Sequence, residues 1–221
     1  MKKLFIILLS ISLLLIINLL STGGDADIYV FTINYNMPQN DTNSPITNIS
    51  LSGTLGNNSW YTSNVSVTLN ATDNQSGVNY TRYHINNGSW ITYTIPFWIS
   101  ATGTNTAQYY SVDKANNIEQ TKSQTIKIDK NPPGPITNIG NTHGRAYINW
   151  TWLDPTTSDT SGFAYVMVYI NGLFKNNISK GIQYYNATNL LNNTSYTLGT
   201  HTVDNAGNIG GWRNNTVRTN R

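Results

Sequence analysis

The chain has 221 residues, no cysteine, and 13 basic against 10 acidic side chains, for a formal charge of +3. Without cysteine there is neither a disulfide scaffold nor a thiol nucleophile. Lys2 and Lys3 sit at the extreme N-terminus and the remaining basic residues are scattered, so the clustered positive footprint of a nucleic-acid binder is missing and no nucleic-acid partner is expected.

Residues 1–24 open with two lysines, continue as an apolar run from Leu4 to Leu20, and end in the small residues Ser21, Gly23 and Gly24. A charged head, apolar middle and small-residue exit make a secretory signal peptide. The run is also near the lower limit for crossing a bilayer, so retention as an N-terminal anchor is the alternative. Either reading puts the rest of the chain outside the cytoplasm, secreted or at the cell surface.

Residues 25–44 form an extended N-terminal segment. Its part Asp25 to Gln39, DADIYVFTINYNMPQ, is too apolar for an ordinary linker. A strand of this kind pairs with the edge of its own first domain or is donated to another copy, which makes residues 25–39 a candidate for self-association.

From here on the chain is rich in Asn, Thr, Ser, Gly and Tyr, a sheet and turn composition poor in helix formers. In NVSVTLNAT (Asn64 to Thr72) the apolar residues Val65, Val67, Leu69 and Ala71 alternate with polar ones, the period of a half-buried strand. Further strands are predicted at Val78 to Asn86, Ser89 to Thr94, Phe97 to Ala101, Thr106 to Val112 and Gln120 to Asp129, separated by Gly, Asn and Pro turn signals. These make residues 45–129 a first domain, in which Trp90 and Trp98 are expected to belong to the packed fold.

Residues 130–134 are a Pro-rich linker. Two consecutive prolines hold it extended, so the domains on either side are expected to lie end to end. In the second domain, 135–221, RAYINWTW places Ala146, Ile148, Trp150 and Trp152 on one face and Tyr147, Asn149 and Thr151 on the other. Strands follow at Phe163 to Ile170, Tyr184 to Asn186, Ser195 to Val203 and Trp212 to Arg218. The first of these is apolar on both faces, so its pattern leaves open which side is inside.

The two domains share a vocabulary. SVDKANNI at 111–118 returns as TVDNAGNI at 202–209, and PITNI occurs at Pro45 to Ile49 and again at Pro135 to Ile139. Between them Ser76, Gly77, Tyr80, Ile85 and Asn86 recur in order as Ser161, Gly162, Tyr165, Ile170 and Asn171. Collinear anchors at a nearly constant offset mean two related units of about ninety residues. About seven short strands in each suggest two-sheet sandwiches.

WTWLDP (Trp150 to Pro155), YVMVYING and LLNNTSY (Leu190 to Tyr196) together resemble a fibronectin type III domain. The resemblance implies that Trp152, with Pro155, is that family's core tryptophan. It also implies that Leu190, Thr194 and Tyr196 form its tyrosine corner, in which the ring hydroxyl ties a loop to the backbone. Asn192 stands where a proline is common, a mild departure. The first domain resembles the Ig-like repeats of bacterial and archaeal surface proteins through Tyr83, Ile85, Asn86, Gly88, Trp90, Tyr93, Pro96, Phe97 and YYSVDKANN. As a pair they are similar to the surface-protein modules of methanogenic archaea, which are glycosylated and strung in series. The expected fold is therefore all-β: two tandem Ig-like/fibronectin III-like β-sandwiches after an N-terminal signal segment.

Neither family carries a conserved chemistry. The three histidines are isolated in sequence, Glu119 is the only glutamate, and no glycine-rich phosphate loop or serine-hydrolase elbow occurs. The expectation is no catalytic residue, no metal and no cofactor. Asp113 with Asn117, and Asp204 with Asn208, read as turn residues, with Asn116 and Gly207 at the left-handed position. Calcium ligation by these aspartates would need several further carboxylates, and the acidic residues are few and dispersed along the chain.

Glycosylation sequons fall at Asn40, Asn48, Asn57, Asn64, Asn70, Asn74, Asn79, Asn87, Asn149, Asn177, Asn186, Asn192, Asn193 and Asn214. Asn64, Asn70 and Asn149 lie on faces assigned to solvent. Trp60, Tyr61 and Trp212, near turns or edges, are candidates for stacking on sugar rings. The expected role is that of an exported, glycosylated structural or adhesion protein whose partners are other cell-envelope proteins or polysaccharide. The alternative is a carbohydrate-binding accessory module.

Overall fold

The computed structural model describes residues 40–156 and 159–221. The signal segment, and the self-association segment 25–39, lie outside the described residues. Residues 43–221 form one compact unit. It holds fifteen strands, β1 (Ile46–Ser52), β2 (Trp60–Tyr61), β3 (Val65–Thr72), β4 (Val78–Ile85), β5 (Ile91–Thr92), β6 (Phe97–Ile99), β7 (Gly103–Asp113), β8 (Lys122–Ile128), β9 (Thr137–His143), β10 (Tyr147–Leu153), β11 (Phe163–Ile170), β12 (Leu173–Ser179), β13 (Tyr184–Thr188), β14 (Ser195–Asp204) and β15 (Arg213–Arg218).

They form two sandwiches. In the first, the sheet β1-β3-β6 faces the sheet β2-β8-β7-β4-β5; in the second, β13-β10-β9 faces β12-β11-β14-β15. All pairings are antiparallel except β2 with β8, where Trp60 lies opposite Lys127. Each sandwich has its own core. Val65, Val67, Leu69, Ile99, Ala107, Ile126 and Ile128 fill the first, and Ile148, Trp150, Trp152, Val166, Val168 and Leu198 the second. Wholly buried side chains of this size each stabilise the fold by about 1.5–3 kcal/mol.

Strand alternation accounts for most of these positions. On β11 it is Val166, Val168 and Ile170 that point inward, leaving Tyr165, Met167 and Tyr169 half-buried on the outer face. Two expectations are corrected. Trp98 is 67% exposed, because Phe97 and Ile99 take the inward positions of the short strand β6 and the residue between them must point out. Trp90 is 40% exposed, packed edge-on against His84 and Tyr110 above the outer face of its sheet. Ala146 precedes β10 and is exposed.

Strand β12 was not predicted. Apart from Ile178 it is exposed along its length, so it lacks an apolar period, and it owes its place to the turn before it. Asn171 and Gly172 both have positive φ, 49° and 80°, and join β11 to β12 with Ile170 opposite Leu173. That is the two-residue hairpin for which Asn-Gly is favoured. Asn86 and Asn87 (φ 51° and 59°) repeat the device after β4.

Candidate functional site

The repeated octapeptide builds the same turn twice. Asp113 Oδ1 accepts the Asn117 amide at 2.8 Å and Oδ2 accepts Asn117 Nδ2 at 2.8 Å. Asp204 does the same for Asn208, at 2.8 Å in both bonds. Asn116 (φ 70°) and Gly207 (φ 93°) take the left-handed position. Both aspartates are buried, at 0% and 1% exposed, so the bonds to neutral amides leave two negative charges inside the protein.

The residue after the turn differs. In the first copy Glu119, 6% exposed, accepts hydrogen bonds from the Thr47 amide, the Thr47 hydroxyl and the Ser111 amide and pairs with Lys122 Nζ at 2.7 Å. This network stitches β1 to β7 across the sandwich. The second copy has Gly210 there, and a Cβ on it would lie 2.4 Å from Thr202 Oγ1 and 2.8 Å from the Pro133 carbonyl. The space is taken by the connector between the sandwiches.

That connector is part of the packing. Pro133 and Asp129 are buried. Asn208 Nδ2 donates to the Asp129 carbonyl at 3.0 Å, and the Ser161 amide donates to Asp129 Oδ2 at 2.8 Å. The loop after β1 reaches the second turn directly: the Asn57 amide donates to the Ala206 carbonyl at 2.8 Å and Asn58 Nδ2 to the Asn205 carbonyl at 2.8 Å. Lys130 Nζ ties back to Asn64 Oδ1 and the Ser100 carbonyl.

At this junction the dispersal of acidic residues along the chain ends. Asp129 from the connector, Asp159 from the β10–β11 loop and Asp204 from β14 each place a carboxylate oxygen within 4.8 Å of the others. Asp129 is wholly buried. Asp159 Oδ1 accepts from Ser161 at 3.2 Å, whereas Oδ2 is shut off from solvent without a hydrogen-bond partner. Burial pushes the Asp159 carboxyl up to about 6, with help from Asp129 and Asp204. Burial acts the same way on Asp129, but hydrogen bonds from Asp159, Ser161 and the Asn131 amide outweigh it and hold that carboxyl below its ordinary value. None of the three forms an ion pair with a described Lys, Arg or His.

Sequence reading found Asp204 but missed Asp129 and Asp159. The signal was there: Asp159 stands just before the Ser161-Gly162 anchor, as Asp73 stands before Ser76-Gly77, and each accepts amide hydrogen bonds from the residues that follow.

The candidate sugar-stacking residues do not come together. Trp60 and Tyr61 share β2, where Lys127 Nζ lies 5.7 Å from the Trp60 ring centre and Tyr61 packs on the first core. Trp212, 54% exposed, belongs to the second sandwich. It packs on Tyr169 at 4.9 Å and His201 at 3.8 Å between ring centres, and Tyr169 packs on Phe174 at 5.5 Å. The result is an aromatic strip across the outer face of β12-β11-β14-β15.

The sequon asparagines Asn40, Asn48, Asn57, Asn64, Asn70, Asn74, Asn79, Asn87, Asn177, Asn186, Asn192, Asn193 and Asn214 are exposed. Asn149 departs from its expected solvent face: it is half-buried on the central strand β10, with Oδ1 closed off and unpartnered. In the second sandwich Trp152 is 2% exposed, Leu190 packs against the core, and the Tyr196 hydroxyl accepts the Leu191 amide at 2.9 Å.

No family model and no curated protein matches the chain. Among solved structures it is similar to domains A168–A170 of titin, with a TM-score of 0.53 and 14% identity over 79% of this chain and 66% of that one. It also aligns with the fibronectin(III)-like modules of Clostridium thermocellum CbhA, at a TM-score of 0.44 and 9% identity over 78% and 94% of the two chains. Chicken CNTN1 domains FN1–FN3 align at 0.41 and 13% identity, over 76% and 63%. The chain spans about two thirds of the titin fragment. The architecture is that of tandem Ig-like/fibronectin III-like β-sandwiches.

Proposed function

We propose that this pair of sandwiches is an exported, glycosylated structural or adhesion protein of a cell surface or extracellular matrix, without catalytic activity. The observation that carries the reading is the placement of the sequons. Thirteen of them lie exposed, on strand faces and turns of both sandwiches, where a bulky glycan meets solvent. The signal segment at 1–24 is consistent with it. The partners proposed are other cell-envelope proteins or polysaccharide, and the module type is that of archaeal surface repeats.

The reading is tested by recovering the protein from fractionated cells of its native host and weighing it intact. It is expected outside the cytoplasmic membrane, heavier than its polypeptide, and lighter after glycan release. An unmodified chain in the cytoplasm overturns the proposal.

The aromatic strip favours a second reading, a carbohydrate-binding accessory module. Phe174, Tyr169, His201 and Trp212 present a row of ring faces and edges of the kind that stacks on sugar rings. Retention on insoluble polysaccharide, lost in Trp212→Ala, is its expected result, and absence of retention by the unaltered protein removes it.

A further inference from the structure

We propose that Asp129, Asp159 and Asp204 hold one divalent cation of the calcium class at the junction between the sandwiches. Three observations lead there. Their carboxylate oxygens lie within 4.8 Å of one another, two of the three residues being wholly or almost wholly buried. Every hydrogen bond they receive from neighbouring groups comes from a neutral donor, namely Ser161, Asn131 and Asn208, and none of the three pairs with a described cationic side chain. And Asp159 Oδ2 is a buried oxygen with no partner at all. Buried negative charge without a countercharge is strongly unfavourable, whereas a bound cation supplies the charge and takes the idle oxygen as a ligand.

The donor set selects the ion. All three ligands are carboxylates and the chain has no cysteine, which disfavours zinc and copper and suits a hard oxygen-seeking cation. Calcium accepts six to eight oxygens in irregular geometry, with water completing the shell. The donor amides also hold the carboxylates in place, so little ordering remains to be done on binding.

The sequence supports a built feature. Of the ten acidic residues, six fall into two matching sets: Asp41 precedes the first PITNI as Asp129 precedes the second, Asp73 matches Asp159 before Ser-Gly, and Asp113 matches Asp204. A chain that spends most of its few acids on one repeated pattern places them for a shared purpose. At the junction the purpose follows from the partners: Asp129 belongs to the connector, Asp159 and Asp204 to the second sandwich, so the ion clamps the exit of the first sandwich onto the loops of the second. The inference does not depend on the surface role proposed above.

The test is calorimetric titration of the full chain, stripped with EDTA, by CaCl2 and by MgCl2, with thermal unfolding beside it. Wild type is expected to bind Ca²⁺ saturably and to unfold at least several degrees higher in about 10 mM Ca²⁺, with a weaker response to Mg²⁺. Asp159→Asn and Asp129→Asn, each checked for a native far-ultraviolet spectrum, are expected to weaken binding at this site at least tenfold. Two variants are used so that a folding failure in one leaves the other to decide. No saturable Ca²⁺ binding by wild type, or unchanged affinity and stoichiometry in the folded variant, overturns the proposal.

Discussion

Asp113 and Asp204 show how little a side chain needs in order to dictate a turn. Each accepts the amide and the side-chain amide of the asparagine four residues on, and the geometry is the same to 0.1 Å in both copies. What surrounds the turn differs, and with it the electrostatics. Asp204 shares its surroundings with Asp129 and Asp159, and this gives a pH dependence. With divalent ions removed, Asp159 titrates near 6 in the folded state and near its ordinary value of 3.8 in the unfolded one. Between those values the folded chain holds more protons, so its stability falls as pH rises. Asp129, whose carboxyl is held low, works in the opposite sense but only below its ordinary value. Urea unfolding in EDTA is expected to show a lower midpoint at about pH 6.5 than at about pH 4.5, with the difference reduced in Asp159→Asn. A midpoint that rises over this range contradicts the assignment.

At the scale of elements, identical words are read differently. In the first PITNI, Thr47 is 1% exposed and Ile46 is 60% exposed; in the second, Ile136 is 1% exposed and Thr137 faces solvent. A shift of one residue exchanges the faces of a strand. The inward Thr47 is held by Glu119, which the second copy lacks. Gly210 in its place lets the connector approach, and this makes a direct comparison available. Gly210→Ala brings a methyl against Thr202 and the Pro133 carbonyl, and is expected to cost about 1–3 kcal/mol in urea unfolding through overpacking. Gly211→Ala, with nothing within 4 Å of the added atom, is expected to stay within about 0.5 kcal/mol of wild type. Equal effects would mean that the connector yields freely.

For the whole molecule, the connector is the element whose role changed most between sequence and structure. Its prolines suggest a stiff spacer, yet Asp129 and Pro133 are buried and the second turn is held by Asn57, Asn58 and the Asp129 carbonyl. Neighbouring sandwiches joined by direct hydrogen bonds and a buried connector are coupled in stability, unlike domains on a free linker. The N-terminal strand at 25–39 raises the separate matter of assembly. Light scattering after size exclusion, on the protein from Asp25 onward and on a version starting at Thr42, is expected to show monomers in both cases, because edge strands commonly pair within their own chain. Polymers formed by the longer version alone would instead identify a donated strand and make the protein an assembly subunit.

Local order was legible because it is written locally. Alternation marks Val65 to Leu69 and Ile148 to Trp152, Asn and Gly mark the turns, and the repeat marks the tandem; period, φ preference and recurrence are properties of neighbouring residues. Strand β12 and the outward turn of Trp98 escaped because an exposed edge strand needs no apolar pattern, and an aromatic carries no mark of the face it occupies. The acidic trio escaped for a stronger reason. Asp129, Asp159 and Asp204 lie thirty and forty-five residues apart along the chain, and only the packing of one connector against two loops brings their charges together. Sequence alone determined two β-sandwiches in series; tertiary structure decided where negative charge is concentrated, because electrostatic interaction depends on distance through space.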